Sequence, residues 1–218
     1  IITGLLSKLD TQKLIDTYSG VQNKVLVAWS KDKPIVDDIL SKDSSFTPVI
    51  VESQTCKKSL NYQIVLNRAG IESCPKDDYI LKMRSDMSCN DIQSFTSMLD
   101  QKEYKNDKLS VLCYFFQCPV RVTTNRLGQP YFCDYIMFGK KSIFEKIWGV
   151  NQEDSDSRFA EQFLEEQYIG KAEISTDNIH EHYNCFMKEC EEREIEFTWN
   201  HPERSFNIID RFGKEQRR

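Results

Sequence analysis

The chain lacks both glycine-rich loops that commonly mark a nucleotide-binding α/β domain: neither GxGxxG nor GxxxxGK[ST] occurs in it. Any phosphate bound here must therefore be held by something else. No two of the eight cysteines have CxxC spacing, and Cys113 (VLCYFF) and Cys133 (YFCDY) sit in apolar runs. Reduced, mostly buried thiols in an intracellular compartment are the expectation, ahead of a disulfide framework. The longest apolar runs fall far short of a bilayer-spanning length, and a secretory leader is not expected. No internal repeat or low-complexity linker is present. An excess of positive charge is missing too: the net charge of −5 argues against a general nucleic-acid binder.

What is present is a globular composition, 39% hydrophobic and 29% charged over 218 residues, enough to bury a substantial single core. The chain opens on Ile1 inside a strand pattern and without Met, so further residues ahead of it are expected. Ile1–Ile2–Thr3–Gly4 reads as a strand end with a glycine turn, where backbone can approach a ligand closely. Asp10 reads as the N-cap of a helix through Tyr18, with Leu14 and Ile15 inward. KVLVAW (Lys24–Trp29) is a buried-type strand followed by polar Ser30, Lys31 and Asp32. Pro34 opens a short helix, and TPVIV (Thr47–Val51) is a strand whose Pro48 suits an edge. Leu60–Ile71 reads as an amphipathic helix with Ile64, Ala69 and Ile71 inward. Strand and helix thus alternate through the first 83 residues, which predicts an α/β class: a mostly parallel sheet with helices on both faces.

The fourth strand carries the chemistry. In YILKMRSDM (Tyr79–Met87) an apolar run stops at Arg84, Ser85 and Asp86. A strand of an open α/β sheet delivers the residues at its carboxyl end into the ligand crevice. A carboxylate arriving there beside a guanidinium and a hydroxyl suits a divalent cation that carries phosphates. The competing assignment is a surface turn in which Asp86 caps the next helix.

The second half changes character. LSVLCYFF (Leu109–Phe116) and YFCDYIMF (Tyr131–Phe138) are β-type runs, with an exposed loop at Arg121–Gln129 between them and a short helix at Lys141–Trp148 after them. Asp134 interrupts the second run. A carboxylate among aromatics is costly to bury unless it binds something, although the solvent face of an alternating strand would also accept it. Glu161 lies near the start of an Asp156–Ile169 helix, where an acid also complements the helix dipole. A helix is expected over His180–Cys190, then short strands at Ile195–Trp199 and Phe206–Ile209. On such a helix His180, His182, Cys185 and Cys190 share no face, which disfavours a zinc site. The ending RFGKEQRR reads as a frayed terminus.

The block LNYQIVLNRAGIESCPKDDYILKMRSDM resembles the signature of the WavE-type family, glycosyltransferases of lipopolysaccharide and surface-glycan synthesis. CDYIMFGKKSIFEKIW resembles that family's Asp-aromatic-Phe-Gly segment, AEQFL its Pro-Glu-Gln-Tyr-Leu helix start, and ITGLL its first-strand glycine turn. Similar domains occur in large DNA viruses of algae. The resemblance covers roughly Ile1 to Gly170 and departs from the family at Ala160, where Pro is usual. It implies a GT-A-like fold in one domain, with a nucleotide-sugar-binding half over about 1–100 and an acceptor-binding half over about 101–218. It further implies that Asp86 stands for the Asp-x-Asp motif and holds Mn²⁺ or Mg²⁺ on the donor diphosphate.

The expected function is transfer of a sugar from a nucleotide-diphosphate sugar, UDP- ahead of GDP-, to a glycan or glycoprotein acceptor. Thr3, Gly4, Trp29, Ser30, Gln63, Arg68, Arg84, Ser85 and Asp86 are the expected nucleotide-sugar contacts. Asp134, then Glu161, is the expected base. A cytoplasmic location is expected (a host's cytoplasm if the gene is viral), with peripheral membrane association left open. The alternatives are a sugar nucleotidyltransferase, for which SKLDTQK is a poor phosphate loop, and a non-catalytic glycan- or protein-binding domain that retains the fold.

Overall fold

Alternation along KVLVAW decides the layering. Leu26 and Ala28 point into one apolar cluster and Val27 and Trp29 into another, so the strand is buried on both faces. The computed structural model describes residues 1–4, 6–7, 9–55, 59–76, 78–101, 103–111, 135–150 and 183–200. Strands β1 (Ile2–Thr3), β2 (Lys24–Trp29), β3 (Phe46–Val51) and β4 (Tyr79–Arg84) are mutually parallel in the order β3-β2-β1-β4. Next in the chain is β5 (Met87–Cys89), which meets the later β9 (Phe197–Trp199) as an antiparallel ribbon. The main sheet continues past β4 through β7 (Ile136–Lys140), β6 (Leu109–Val111) and β8 (Tyr183–Cys185). Only β7 runs against the others among the described strands of this sheet. This is the expected class: a mostly parallel, mixed α/β sheet.

Helices α1 (Thr11–Thr17), α2 (Lys33–Lys42) and α4 (Ile92–Leu99) bury Leu14, Ile15, Val36, Ile39, Phe95 and Met98 against one face of the sheet. Helices α3 (Ser59–Ser73) and α5 (Lys141–Trp148) bury Leu60, Ile64, Phe144 and Trp148 against the other. Each such large apolar side chain contributes roughly 1.5–3 kcal/mol when removed from water. The caps are local. Asp10 Oδ1 accepts from the Lys13 amide at 3.1 Å and Asp91 Oδ1 from the Ser94 amide at 2.9 Å. Pro34 sits in the first turn of α2, and Pro48 lies on the edge strand β3, as expected.

One expectation and one competing assignment are corrected. The segment expected as one helix over His180–Cys190 contains strand β8, which pairs with β6 through Ser110↔Asn184, and helix α6 begins only at Met187 and runs to Glu192. An available sheet edge outweighed local propensity, with Phe186 buried at the junction. Asp86 does not cap a helix: Met87–Cys89 pairs with β9, and the next helix, α4, is capped by Asp91. The Asp156–Ile169 helix, the Arg121–Gln129 loop and the Phe206–Ile209 strand lie outside the described residues.

Candidate functional site

Strand order reverses between β1 and β4, because the chain proceeds outward from β1 through β2 to β3 and then returns to β4 on the other side. Such a reversal leaves a crevice at the carboxyl ends of the two strands, the usual ligand position in open α/β sheets. Here those ends are Thr3–Gly4 and Arg84–Ser85–Asp86. They touch. The Ser85 amide donates to the Thr3 carbonyl at 2.9 Å, and Gly4 has φ +146°, a conformation that L side chains rarely adopt. A Cβ at Gly4 would lie 2.5 Å from Ser85 Oγ, so any side chain there would push the Ser85 hydroxyl aside as well as strain the backbone.

Arg84 and Asp86 form a fork-to-fork pair. Nε donates to Oδ1 at 2.9 Å and Nη2 to Oδ2 at 2.7 Å. The guanidinium also faces two rings, with Cζ 5.0 Å from the centroid of Tyr135 and 5.5 Å from that of Trp199. The backbone joins the same parts, since the Arg84 amide donates to the Tyr135 carbonyl at 3.1 Å and the Asn200 amide to the Asp86 carbonyl at 2.7 Å. Sequence reasoning missed Tyr135, Trp199 and Asn200. Their signal is tertiary, because more than a hundred residues separate Asp86 from Asn200 in the chain.

The remaining expected contacts divide. Thr3 Oγ1 donates to Asn67 Oδ1 at 2.9 Å, and Asn67 Nδ2 donates to the Gln63 carbonyl at 2.9 Å, so the Thr3 side chain anchors α3. Gln63 lies one turn nearer the helix start, and its buried Oε1 has no hydrogen-bond partner among the described residues. Arg68 is held elsewhere, with Nη2 on the Val150 carbonyl at 2.6 Å beyond the end of α5. The Trp29 ring is buried edge-on against Tyr62, centroids 5.5 Å apart, so only its backbone faces the strand end. Ser30 ties the ends of β2 and β3: its Oγ lies 3.1 Å from Ser53 Oγ and accepts from the Ser53 amide at 3.0 Å. Beside it, burial pushes the Asp32 carboxyl above the usual carboxylate range, with Lys31 pulling weakly the other way. Asp134 and Glu161 lie outside the described residues.

No known family profile and no curated protein sequence matches the chain. Similarity is found among solved structures. One is the galactosyltransferase LgtC, solved with donor and acceptor sugar analogues: TM-score 0.49, 12% identity, 72% of this chain and 63% of that one covered. Another is a glycosyltransferase involved in glycosylation of the major capsid of PBCV-1: TM-score 0.43, 14% identity, 84% and 79% covered. Both are glycosyltransferases. The chain spans less than two thirds of the galactosyltransferase's length.

The site's geometry supplies a backbone cradle at Gly4–Ser85, one guanidinium and one carboxylate. A divalent cation carried on a diphosphate takes several ligands from phosphate and water and needs only one or two carboxylates. Asp86 uses one lone pair on each oxygen for Arg84 and keeps further acceptor capacity on both. Its donor set therefore fits a cation held mainly by phosphate. It does not fit an all-protein metal cage: among the described residues no group of three or more His, Cys, Asp or Glu side chains converges. No helix among them is long and apolar enough to cross a membrane.

Proposed function

We propose that this chain is a GT-A-like glycosyltransferase domain that moves a sugar from a nucleotide-diphosphate sugar, UDP- ahead of GDP-, to a glycan or glycoprotein acceptor. The observation that carries the reading is the meeting of Gly4, Ser85, Arg84 and Asp86 at the strand-order reversal. The resemblance of the Arg-Ser-Asp block to WavE-type enzymes supports it. Arg84 binds the diphosphate of the donor and offsets the charge that grows there as the glycosidic bond breaks. Asp86 would hold Mn²⁺ or Mg²⁺, which when bound supplies further positive charge to the leaving diphosphate. In an inverting reaction an acceptor hydroxyl oxygen bonds to the anomeric carbon while that carbon's bond to the diphosphate breaks. The hydroxyl proton passes to a carboxylate, Asp134 first and Glu161 second, and the nucleoside diphosphate departs.

A second reading has one observation in its favour. The closed Arg84–Asp86 pair also suits a domain that keeps the fold and binds glycan or protein without transfer. One ligand panel separates the two. Incubation with UDP- and GDP-sugars, with and without Mn²⁺, should raise the melting temperature for at least one donor. Asp86→Ala should weaken the cation-dependent part at least tenfold, about 1.4 kcal/mol. No thermal shift with any donor removes the glycosyltransferase reading, and an unchanged affinity in Asp86→Ala removes the cation from Asp86.

A further inference from the structure

Arg84 projects from the end of the central strand, and two of the groups that face its guanidinium come from other parts of the chain. Tyr135 immediately precedes β7, and Trp199 ends β9. Their rings meet edge to face, centroids 5.3 Å apart at 69°, and both present to the same guanidinium. Asp86 grips that guanidinium along one edge through two hydrogen bonds. A long, rotamer-rich side chain is thereby confined to one orientation.

The ring that does this is itself tied down. Trp199 is buried, and it lies opposite Met87 in the β5–β9 ribbon. Its carbonyl accepts from Lys13 Nζ at 3.4 Å, and the neighbouring Asn200 side chain donates to the Asp10 carbonyl at 3.0 Å. The ribbon is thus fastened to the start of α1 on one side and to the β4–β5 turn, through Asn200 and Asp86, on the other. Without the ribbon, one ring face and one anchor of the turn would both be missing from the crevice.

We infer that Trp199 and Tyr135 are positioning residues, an aromatic clamp that aims the Arg84 guanidinium for an anionic ligand at the β1–β4 crevice. The inference rests on the glycosyltransferase reading for the identity of that ligand, a nucleoside diphosphate. It adds the late-chain ribbon to the donor site, through ring-face electrostatics instead of direct ligand contact. Aromatic faces attract a cation by their quadrupole, so the clamp weakens as electron density is drawn out of the ring. Packing alone would not respond in that way.

The test uses the full chain with two readouts. The first is the ¹⁵Nε–¹H resonance of Arg84, expected upfield through ring currents and slow to exchange with water. Trp199→Leu should move it toward the ordinary arginine position and speed its exchange, and Trp199→Phe should restore most of both. Because Trp199→Leu removes a buried ring and risks unfolding, fluorinated tryptophans placed at position 199 alone serve as near-isosteric variants. Exchange should quicken with each added fluorine while the melting temperature holds. The second readout is UDP affinity by calorimetry, expected to fall about threefold to tenfold in Trp199→Leu and to recover in Trp199→Phe. An Arg84 resonance indifferent to ring chemistry at 199 overturns the clamp, as does unchanged UDP affinity in a folded Trp199→Leu protein. If the unmodified chain ignores both UDP and GDP while the Arg84 resonance still tracks the ring, the glycosyltransferase reading fails and the positioning role stands.

Discussion

Gly4 shows how much a single residue controls at this site. Its φ of +146° and the 2.5 Å gap between a built Cβ and Ser85 Oγ are separate demands, and glycine meets both. Gly4→Ala should therefore cost about 1–3 kcal/mol of stability, the range for a side chain forced into a sparsely populated backbone region. Urea denaturation measures this directly. A loss within error of zero would mean that the two turns separate without resistance and that their contact positions nothing. The Arg84–Asp86 pair illustrates the same scale from the electrostatic side. Removing Asp86 takes the carboxylate away from a partly buried guanidinium, so its effect on ligand binding is best read beside a stability measurement.

At the scale of elements, the sheet and its covering helices are fastened by a few polar contacts as well as by burial. The buried Lys24 at the start of β2 donates to Asp43 Oδ2 at 2.7 Å, just past the end of α2, and to the Tyr18 carbonyl at 3.3 Å past the end of α1. It also lies 4.4 Å from the centroid of the Phe46 ring. The hydrogen bond from Lys24, helped by the Ser45 hydroxyl and amide, holds the Asp43 carboxyl down at about 2 against an ordinary value of 3.8. A carboxylate depressed by folding contributes stability above its unfolded pKa and loses it as pH falls through the folded one. The contribution should be present above about pH 4 and fade toward pH 2. Denaturation midpoints across that window should slope less steeply in Asp43→Asn than in the parent. Identical slopes would show that other acids govern the acid limb.

Over the whole molecule the proposal divides labour between a donor-binding first half and an acceptor-binding second half. Asp134 and Glu161 test that division. Asp134→Asn should leave donor affinity within a few-fold and lower turnover by roughly a hundredfold or more, the scale of general-base catalysis. If Glu161 is the base, the large loss appears in Glu161→Gln instead. Near-normal transfer by both variants would remove a protein base and favour a retaining route. The thiols report on the interior as a whole. Cys89 and Cys190 are buried and Cys74 is partly exposed, all three as free thiols, and burial pushes Cys89 up to about 12. Alkylation of the native protein before mass spectrometry should modify Cys74 well before Cys89 or Cys190, while the unfolded chain labels at all eight positions. Early labelling of Cys89 would contradict the packing around β5.

The amino-acid sequence by itself determined the repeating strands and helices of the first half, because each is a local pattern. KVLVAW is β2, Asp10 caps α1 and Pro34 opens α2; in the second half Lys141–Trp148 is α5 by the same kind of signal. It also placed Arg-Ser-Asp at a strand's carboxyl end, since the apolar run of Tyr79–Met83 stops there. Helix α4 has a local signal too, in the spacing of Ile92, Phe95 and Met98 behind the Asp91 cap. Tertiary structure alone decided that β8 is a strand, because an open edge at β6 supplied backbone partners that no local propensity reveals. It alone decided that the Thr3 hydroxyl and Arg68 serve as anchors, to Asn67 and Val150. Tyr135 and Trp199 belong to that second group. A ring face meets a guanidinium only after the sheet and ribbon have closed around it, and nothing in the spacing of residues 84, 135 and 199 encodes that closure.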